Sequence, residues 1–530
     1  MSAVEEGKKR ILWADDEIDL LKPHILYLEG KGYAVTPATN GEDALSMVTA
    51  TPYDVVLLDE MMPGMGGLAT LAAIKDRFPT LPVILITKSE QEEIMDEALG
   101  RKITDYLIKP VNPSQIWLAV KKVFESEALQ QDRSAREYVG HVRWLADLDT
   151  KRLGWREWLD VNRRLSQWDI ELESLADPGL KQAHMDSRRE LNLEFSKFVE
   201  ERYPSWVRQG AGAANVDRPM LSPDVVAHAV APHLKAGKKV TFIVLDCLRL
   251  DQWFALQALL EPFFDVTNDY YYSILPTATP YSRNAIFSGL FPDEMGEKHP
   301  DFWNENTKDE RSKNRFERQF LDLQLARLEA TPSKPIKYVK IYTAEESLNV
   351  RRQISTYSGL SLVALVFNFL DIMAHGRSES DLLQELAPDE TAFRAVVRAW
   401  FAHSPLFEIF RALASQDRVV VVTTDHGAVL GKRAALVYGN RETSTNLRYK
   451  YGTNLVTDDR MSINVKKPAD WRLPGGLNKN YLLAREDYYF VYPTKFHDYE
   501  RQYRDTFQHG GVSLEEMIVP CATLVPRERG

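Results

Sequence analysis

Beyond residue 240 the chain carries three aspartates, three histidines and a threonine whose types and spacing suit metal-assisted hydrolysis. Val419-Val420-Val421-Val422 reads as a strand covered on both faces, and it runs into Asp425-His426-Gly427. A carboxylate and an imidazole just past the carboxyl end of a strand stand where open α/β sheets place their ligands. Both groups suit zinc. The pattern recurs. Lys239–Leu245 is an apolar strand ending at Asp246. The apolar run Val363–Leu370 ends at Asp371, with His375 four residues on, and Phe507-Gln508-His509-Gly510-Gly511 adds a histidine from a Gly-rich turn. These ligands fall into two sets: Asp371, His375 and His509 with a fourth position open, and Asp246, Asp425, His426 and the hydroxyl of Thr279. Three or four N/O ligands with an open place is the arrangement of a catalytic zinc ion. Two such ions a few ångström apart suit in-line displacement at phosphorus. A threonine hydroxyl needs that help, because its own pKa is far too high for attack at neutral pH.

A second constellation lies near the N-terminus. Short strands are expected at Lys9–Ala14, Val55–Leu58, Val83–Ile86 and Tyr106–Ile108, ending respectively at Asp15-Asp16-Glu17, Asp59, Thr87 and Lys109-Pro110. Helical patterns such as Gly41–Thr49 and Gly67–Phe78 fall between them, so the sheet is parallel and the polar residues share one edge. Asp15, Asp16 and Asp59 repel one another unless a divalent cation sits among them, and magnesium favours a few carboxylates plus waters and a phosphate. With the charge of Lys109 and the hydroxyl of Thr87, this edge suits an acyl-phosphate on Asp59. Residues 1–126 therefore resemble the response-regulator receiver domains, including the stretch Asp59-Glu60-Met61-Met62-Pro63-Gly64-Met65-Gly66-Gly67. The resemblance implies Asp59 as phosphoacceptor, Asp15, Asp16 and Asp59 as Mg2+ ligands, Thr87 as switch hydroxyl, Tyr106 as rotating aromatic, and Lys109 as the lysine before a cis-type proline. Lys88 departs from the pattern, since a small residue usually follows the switch threonine.

The C-terminal ligands resemble, in their order Asp, Thr, Asp-x-x-x-His, Asp-His-Gly, His-Gly-Gly, the alkaline phosphatase superfamily and within it the PglZ family. The segment PTATPYSRNAIFSGLFP looks like the nucleophile segment of the superfamily's phosphodiesterases, where the nucleophile lies ten residues before the glycine of an S/T-G-L-x-P turn. That selects Thr279 over Thr277. Arg283 is near enough in sequence to be considered as a phosphate clamp. His228, His233, His299 and His403 fit no metal position. A receiver followed by such a domain resembles PorX-type response regulators. This implies a cognate sensor histidine kinase, homodimerisation on phosphorylation, zinc-dependent cleavage of cyclic or linear oligonucleotides, and a link to type IX secretion. The alternative class is a transcriptional adaptor whose phosphatase fold binds a sigma factor or secretion component, but an adaptor has no need to keep six ligands and a nucleophile.

The elements that must position these residues form an α/β protein in three parts. A flavodoxin-like receiver is expected at 1–126, a middle helical bundle at 127–212, and an alkaline-phosphatase-like α/β domain at 213–530. Trp144, Trp155, Trp158 and Trp168 fall at helical spacing and read as the core of about three helices. Gln209–Asn215 reads as a flexible boundary. Asp309–Gln319 reads as a solvated helix. Lys432–Lys450, basic and holding Tyr438, Arg448 and Tyr449, is a candidate roof that could stack on bases and attract phosphates. The net charge of −10 argues against a general nucleic-acid coat. Two cysteines, Cys247 and Cys521, imply no disulfide framework and fit a reducing compartment. No signal-peptide pattern or bilayer-length stretch is present in the sequence, so a cytoplasmic protein without membrane insertion is expected.

Overall fold

The computed structural model describes residues 8–527 except 89–102, 174, 176, 213–216, 306, 308–309, 333, 335, 377–379, 440–445 and 495. The chain divides into two compact units, 1–140 and 141–530.

The first unit holds five parallel strands: β1 (Arg10–Ala14), β2 (Ala34–Ala38), β3 (Val55–Asp59), β4 (Val83–Thr87) and β5 (Asp105–Ile108). Their order, β2-β1-β3-β4-β5, is that of the flavodoxin-like receiver fold. β1, β3 and β4 are almost wholly apolar and are covered on both faces. Leu12, Leu58 and Leu85 face one core, and Ile11, Leu57 and Ile84 face the other. β2 was not among the expected strands. It is half-exposed and contains Pro37, and a strand proline belongs at a sheet edge, where β2 lies. The helix Pro113–Ala146 starts in this unit, with Ile116, Val120 and Val123 against the sheet.

The second unit contains β6 (Val240–Leu245), β7 (Phe264–Tyr272), β8 (Lys337–Ile341), β9 (Leu362–Phe367), β10 (Val419–Thr423), β11 (Val429–Gly431), β12 (Arg433–Leu436), β13 (Tyr449–Thr453), β14 (Ser462–Val465), β15 (Lys479–Ala484), β16 (Tyr488–Val491), β17 (Thr506–Gln508) and β18 (Ile518–Pro526). The main sheet runs β7-β18-β10-β6-β9-β8. β10, β6, β9 and β8 are parallel, and β18 is antiparallel to both of its neighbours. The remaining strands make three small sheets: β11 with β17, β12 with β16, and β13-β15-β14.

This register gathers the ligands. β10, β6 and β9 are adjacent, with Thr423 opposite Val244 and Leu245 opposite Phe367, so their carboxyl ends are level. Neighbouring strands lie about 4.8 Å apart, so residues leaving three adjacent strand ends meet within one site. β18 starts at this same edge because Ile518 pairs with Tyr272, the last residue of β7. The turn before β18 and the turn after β7 therefore reach the site too. One expectation needs correction. Val363–Leu370 is not a single strand, since β9 stops at Phe367 and Asp371 and His375 lie on the helix Phe369–Gly376. Four residues apart on a helix, they share one face.

The middle helices, Trp155–Glu171 and Pro178–Arg208, do not form a core of their own. Trp158, Leu165, Phe195, Tyr203 and Trp206 belong to the same buried cluster as Phe242, Tyr272 and Val421 of the main sheet. Three of the four tryptophans are core as expected, Trp158 fully buried and Trp144 and Trp155 packed against the cluster, whereas Trp168 lies beside His141 instead. The boundary read at Gln209–Asn215 falls partly outside the described residues. Asp309–Gln319 is not a solvated helix. The helices there are Glu310–Lys313 and Glu317–Arg327, and Lys313, Asn314 and Glu317 are buried.

A shared core predicts shared stability. Trp158→Ala removes a fully buried ring from it, at a cost of about 3–5 kcal/mol. The expected result is that the main thermal transition of the 141–530 region falls as a whole. A separate early transition of the middle helices, with the main one unmoved, would show the opposite.

Candidate metal centres

In the second unit two sets of side chains place their ligand atoms within 4.8 Å of one another: Asp371, His375 and His509, and Asp246, Asp425 and His426. Apart from the Thr279 hydroxyl, expected in the second, these are the two sets read from the sequence. They abut, since the rings of His426 and His509 stack with centroids 4.1 Å apart and planes 17° from parallel. His375 Nε2 lies 3.1 Å from His509 Nε2, and Asp371 Oδ1 lies 3.3 Å and 3.4 Å from those two nitrogens.

The hydrogen bonds around the sets orient them for a cation. His426 Nδ1 is 3.0 Å from the Gly427 carbonyl, and His509 Nδ1 is 3.2 Å from the Thr277 carbonyl. An Nδ1–H held by a carbonyl leaves the Nε2 lone pair to the site. Asp425 Oδ1 accepts from the backbone N–H groups of Cys247 (3.3 Å) and His426 (3.1 Å), while its buried Oδ2 accepts no hydrogen bond. Asp371 Oδ1 is likewise buried and accepts no well-formed hydrogen bond. Two buried carboxylate oxygens without a well-formed hydrogen bond, each among histidine nitrogens, fit divalent cations. Gly427 is required by close approach, because a Cβ there would lie 1.9 Å from the Glu515 carbonyl oxygen.

The electrostatics carry the same strain. Burial raises the Asp246 carboxyl, Arg283 opposing and Asp371 adding to the rise. Burial, with Asp246 beside it, pushes Asp425 up to about 6. Burial pulls His426 down to about 4. For His509 burial acts downward, but the hydrogen bond and charge of Asp371 prevail and push it up to about 9. Asp371 moves well below the usual carboxylate range: burial resists, and the hydrogen bonds and charges of His375 and His509 win.

Thr279 opens the helix Thr279–Ser288 and is half-exposed. Its Oγ1 lies 3.1 Å from His426 Nε2 and donates to Asp246 Oδ1 at 3.4 Å. Thr277 is fully buried and turned elsewhere. Its hydroxyl donates to the Gly511 carbonyl (2.9 Å) and accepts from Gly510 N–H (3.1 Å), so it braces the turn that carries His509.

Arg283 does not face solvent as a phosphate clamp. It is buried, and its Nη1 donates to Asp246 Oδ2 (2.6 Å) and Asn368 Oδ1 (2.9 Å), its Nε to Glu317 Oε1 (2.8 Å). It thus fixes a candidate ligand from behind. The buried partners Glu317 and Asn368 were missed in the sequence. The signal was available, because Arg283 lies one helical turn after Thr279 and so turns toward the same site. The expected roof is corrected in part. Arg448 and Tyr449 are buried, Arg448 pairing with Glu516, whereas Tyr438 is exposed, and 440–445 lie outside the described residues. His228, His233, His299 and His403 belong to neither cluster.

In the first unit Asp15, Asp16 and Asp59 form a third set, also within 4.8 Å of one another. Lys109 Nζ reaches Asp59 Oδ1 (2.8 Å) and Asp15 Oδ2 (2.9 Å). Burial raises the Asp59 carboxyl, the Lys109 hydrogen bond opposes this, and Asp15 adds to the rise. The Lys109–Pro110 bond is cis. The Thr87 hydroxyl donates to Glu60, and Tyr106 is exposed at the neighbouring strand.

Residues 225–524 match the family model described as the BREX system PglZ alkaline phosphatase-like domain. Residues 11–121 match the response regulator receiver domain, and residues 128–207 the PorX response regulator linker domain. The chain is similar to the transcriptional regulatory protein BaeR of Escherichia coli O6:H1, with 33% identity over 157 residues covering 28% of this chain and 64% of that protein. It is also similar to ResD of Bacillus subtilis, 32% identical over 117 residues, which cover 22% of this chain and 48% of that one. The chain spans less than two thirds of the length of these relatives. Among solved structures, a CheY-like receiver domain protein from Methanospirillum hungatei JF-1 is 28% identical, covering 23% of this chain and 98% of its own at a TM-score of 0.22. Among the described residues no helix is long and apolar enough to cross a membrane.

Replacing Arg283 tests its placement. Arg283→Met leaves Asp246 buried without its cation and Glu317 with Lys340 alone, which costs about 3–5 kcal/mol. Urea denaturation is expected to register that loss. Unchanged stability with a raised KM would instead mark Arg283 as a substrate clamp.

Proposed function

Because this chain belongs to the PglZ family, and is a PorX-type response regulator in which a receiver precedes an alkaline phosphatase-like effector, we propose that phosphorylation of Asp59 controls a zinc-dependent phosphodiesterase. The observation that carries the reading is the pair of abutting clusters, each with a buried carboxylate oxygen that accepts no well-formed hydrogen bond, beside the Thr279 hydroxyl. In this reading Asp371, His375 and His509 hold one zinc ion, and Asp246, Asp425, His426 and Thr279 hold the other. Mixed Asp/His sets without thiolate favour zinc over softer ions and over magnesium. When bound, the ions supply Lewis acidity to the nucleophile and to the leaving oxygen.

Thr279 is the nucleophile. Its oxygen bonds to phosphorus as the opposite P–O bond breaks in line, and the hydroxyl proton passes through solvent to the departing alkoxide, which leaves as the alcohol. Water then cleaves the phosphothreonine, restoring the hydroxyl and releasing a phosphomonoester. Thr279 is the first residue of its helix, so its hydroxyl sits at the positive end of the helix dipole, which favours a phosphate. The substrates are cyclic or linear oligonucleotides, and the output is tied to type IX secretion. The receiver implies a cognate sensor kinase. Asp15, Asp16 and Asp59 hold Mg2+ there, Lys109 and Thr87 stabilise the phosphoryl group, and Tyr106 follows Thr87. The product is a homodimer formed through the face from Thr87 to Tyr106, of which 89–102 lie outside the described residues.

Elemental analysis of the purified protein is expected to find about two zinc ions per chain, the number the clusters provide for. Thr279→Ala is expected to keep them and to lower hydrolysis of a chromogenic phosphodiester by several orders of magnitude, as loss of a nucleophile does. Full activity in Thr279→Ala and in the ligand variants alike would end the hydrolase reading and leave the adaptor.

Beryllium fluoride with magnesium mimics the acyl-phosphate and is expected to double the sedimenting mass. Asp59→Ala is expected to abolish that response while retaining zinc. An unchanged mass in the wild type would remove dimerisation from the scheme.

A further inference from the structure

The helix Pro178–Arg208 carries polar side chains on a face that is buried: Arg188, Asn192, Ser196 and Tyr203. Spaced by four, four and seven residues, they form one stripe along the helix. Buried polar groups need partners, and this stripe finds several in the turns that carry the candidate site residues. Asn192 Oδ1 accepts from Leu514 N–H at 2.7 Å, and its Nδ2 donates to Glu515 Oε1 (3.2 Å) and Oε2 (3.0 Å). Arg188 Nη1 donates to Glu515 Oε1 at 3.2 Å. Tyr203 Oη accepts from Leu275 N–H at 2.9 Å. Leu514 lies in the segment just after His509, and Leu275 lies in the segment leading to Thr279. Glu515 also supports the third strand end, because its carbonyl oxygen occupies the place a Cβ of Gly427 would take, and Gly427 N–H donates to the Glu516 carbonyl at 3.1 Å.

We propose that Asn192, Arg188 and Tyr203 are positioning residues for the metal centre, with Glu515 as the point through which the helix holds the His509 turn. The helix then sets the distance between the His509 cluster and the Thr279 segment. A shift of this helix changes that distance without touching a ligand, so the middle segment is the mechanical input to the site. The activity consequence rests on the phosphodiesterase reading. The effect on metal affinity rests on geometry alone.

The test uses full-length protein in four forms: Asn192→Ala, Glu515→Gln, Tyr203→Phe and, on the exposed face of the same helix, Lys197→Ala. Zinc is titrated into chelator-stripped protein, and the two sites are assigned with His509→Ala and Asp425→Ala. Asn192→Ala and Glu515→Gln are expected to weaken zinc at the Asp371–His375–His509 cluster about tenfold or more, as loss of supporting hydrogen bonds does. The other cluster is expected to keep its affinity, and kcat for a chromogenic diester to fall with KM unchanged. Tyr203→Phe is expected to lower kcat, and Lys197→Ala to change neither affinity nor rate. Equal weakening of both clusters in step with the melting temperature would reduce these residues to general packing and overturn the proposal, as would unchanged affinity in both Asn192→Ala and Glu515→Gln. A selective loss of zinc in a protein whose wild type cleaves no diester would instead retain the positioning role and reject the phosphodiesterase.

Discussion

The fold around the candidate centres is organised by one electrostatic constraint: carboxylates gathered where little water reaches them. Asp246 and Asp425 are buried at adjacent strand ends, and Asp371 sits beside them on its helix. Like charges a few ångström apart in a poorly solvated place are costly. Arg283 offsets part of that cost from behind, but it is shared with Glu317, and although its Nη1 lies 3.9 Å from Asp425 Oδ2 it gives neither that oxygen nor Asp371 Oδ1 a hydrogen bond. What remains is an excess of negative charge pointing at a common space, together with histidines whose Nδ1 atoms are tied to carbonyls. Such an arrangement is held ready for cations by its surroundings, and so the buried network behind it matters as much as the ligands.

The receiver meets the same constraint on a smaller scale. Lys109 bridges Asp15 and Asp59, and Asp16 completes the acidic set at the surface. The Thr87 hydroxyl already donates to an anionic acceptor, Glu60. In the proposed scheme, turning to a phosphoryl group on Asp59 would exchange one acidic partner for another. Such an exchange can be nearly balanced, which suits a switch whose two states differ by a few kcal/mol.

The middle helices stand in a different relation to the alkaline phosphatase-like fold than their sequence suggests. They contribute Trp158 and Phe195 to the core of the main sheet, and Asn162, Arg188 and Asn192 to the segment between His509 and β18. A connector built into the core in this way cannot move without disturbing what it packs against, because close-packed interiors transmit displacement rather than absorb it.

Much of this was legible in the chain itself. Apolar strands that stop abruptly at Asp, His or Thr fix both the strand and the edge of the sheet at which the polar residue emerges, because in a parallel sheet all such ends lie on one side. That is why both candidate ligand sets, the acidic set of the receiver and the flavodoxin-like class were legible in the sequence, although the edge strand β2 was not. What sequence could not decide was everything that depends on partners distant along the chain. Thr277 and Thr279 are chemically identical, and only their surroundings separate them, one hydroxyl spent on Gly510 and Gly511, the other beside His426. Arg283 looks like a clamp until Asp246 and Glu317 are placed around it, and Arg448 looks like a free cation until Glu516 meets it. Local pattern determines which element forms and which way it points. Whether a charged side chain faces solvent or a buried counter-ion is set by desolvation, and desolvation is a property of the tertiary packing alone.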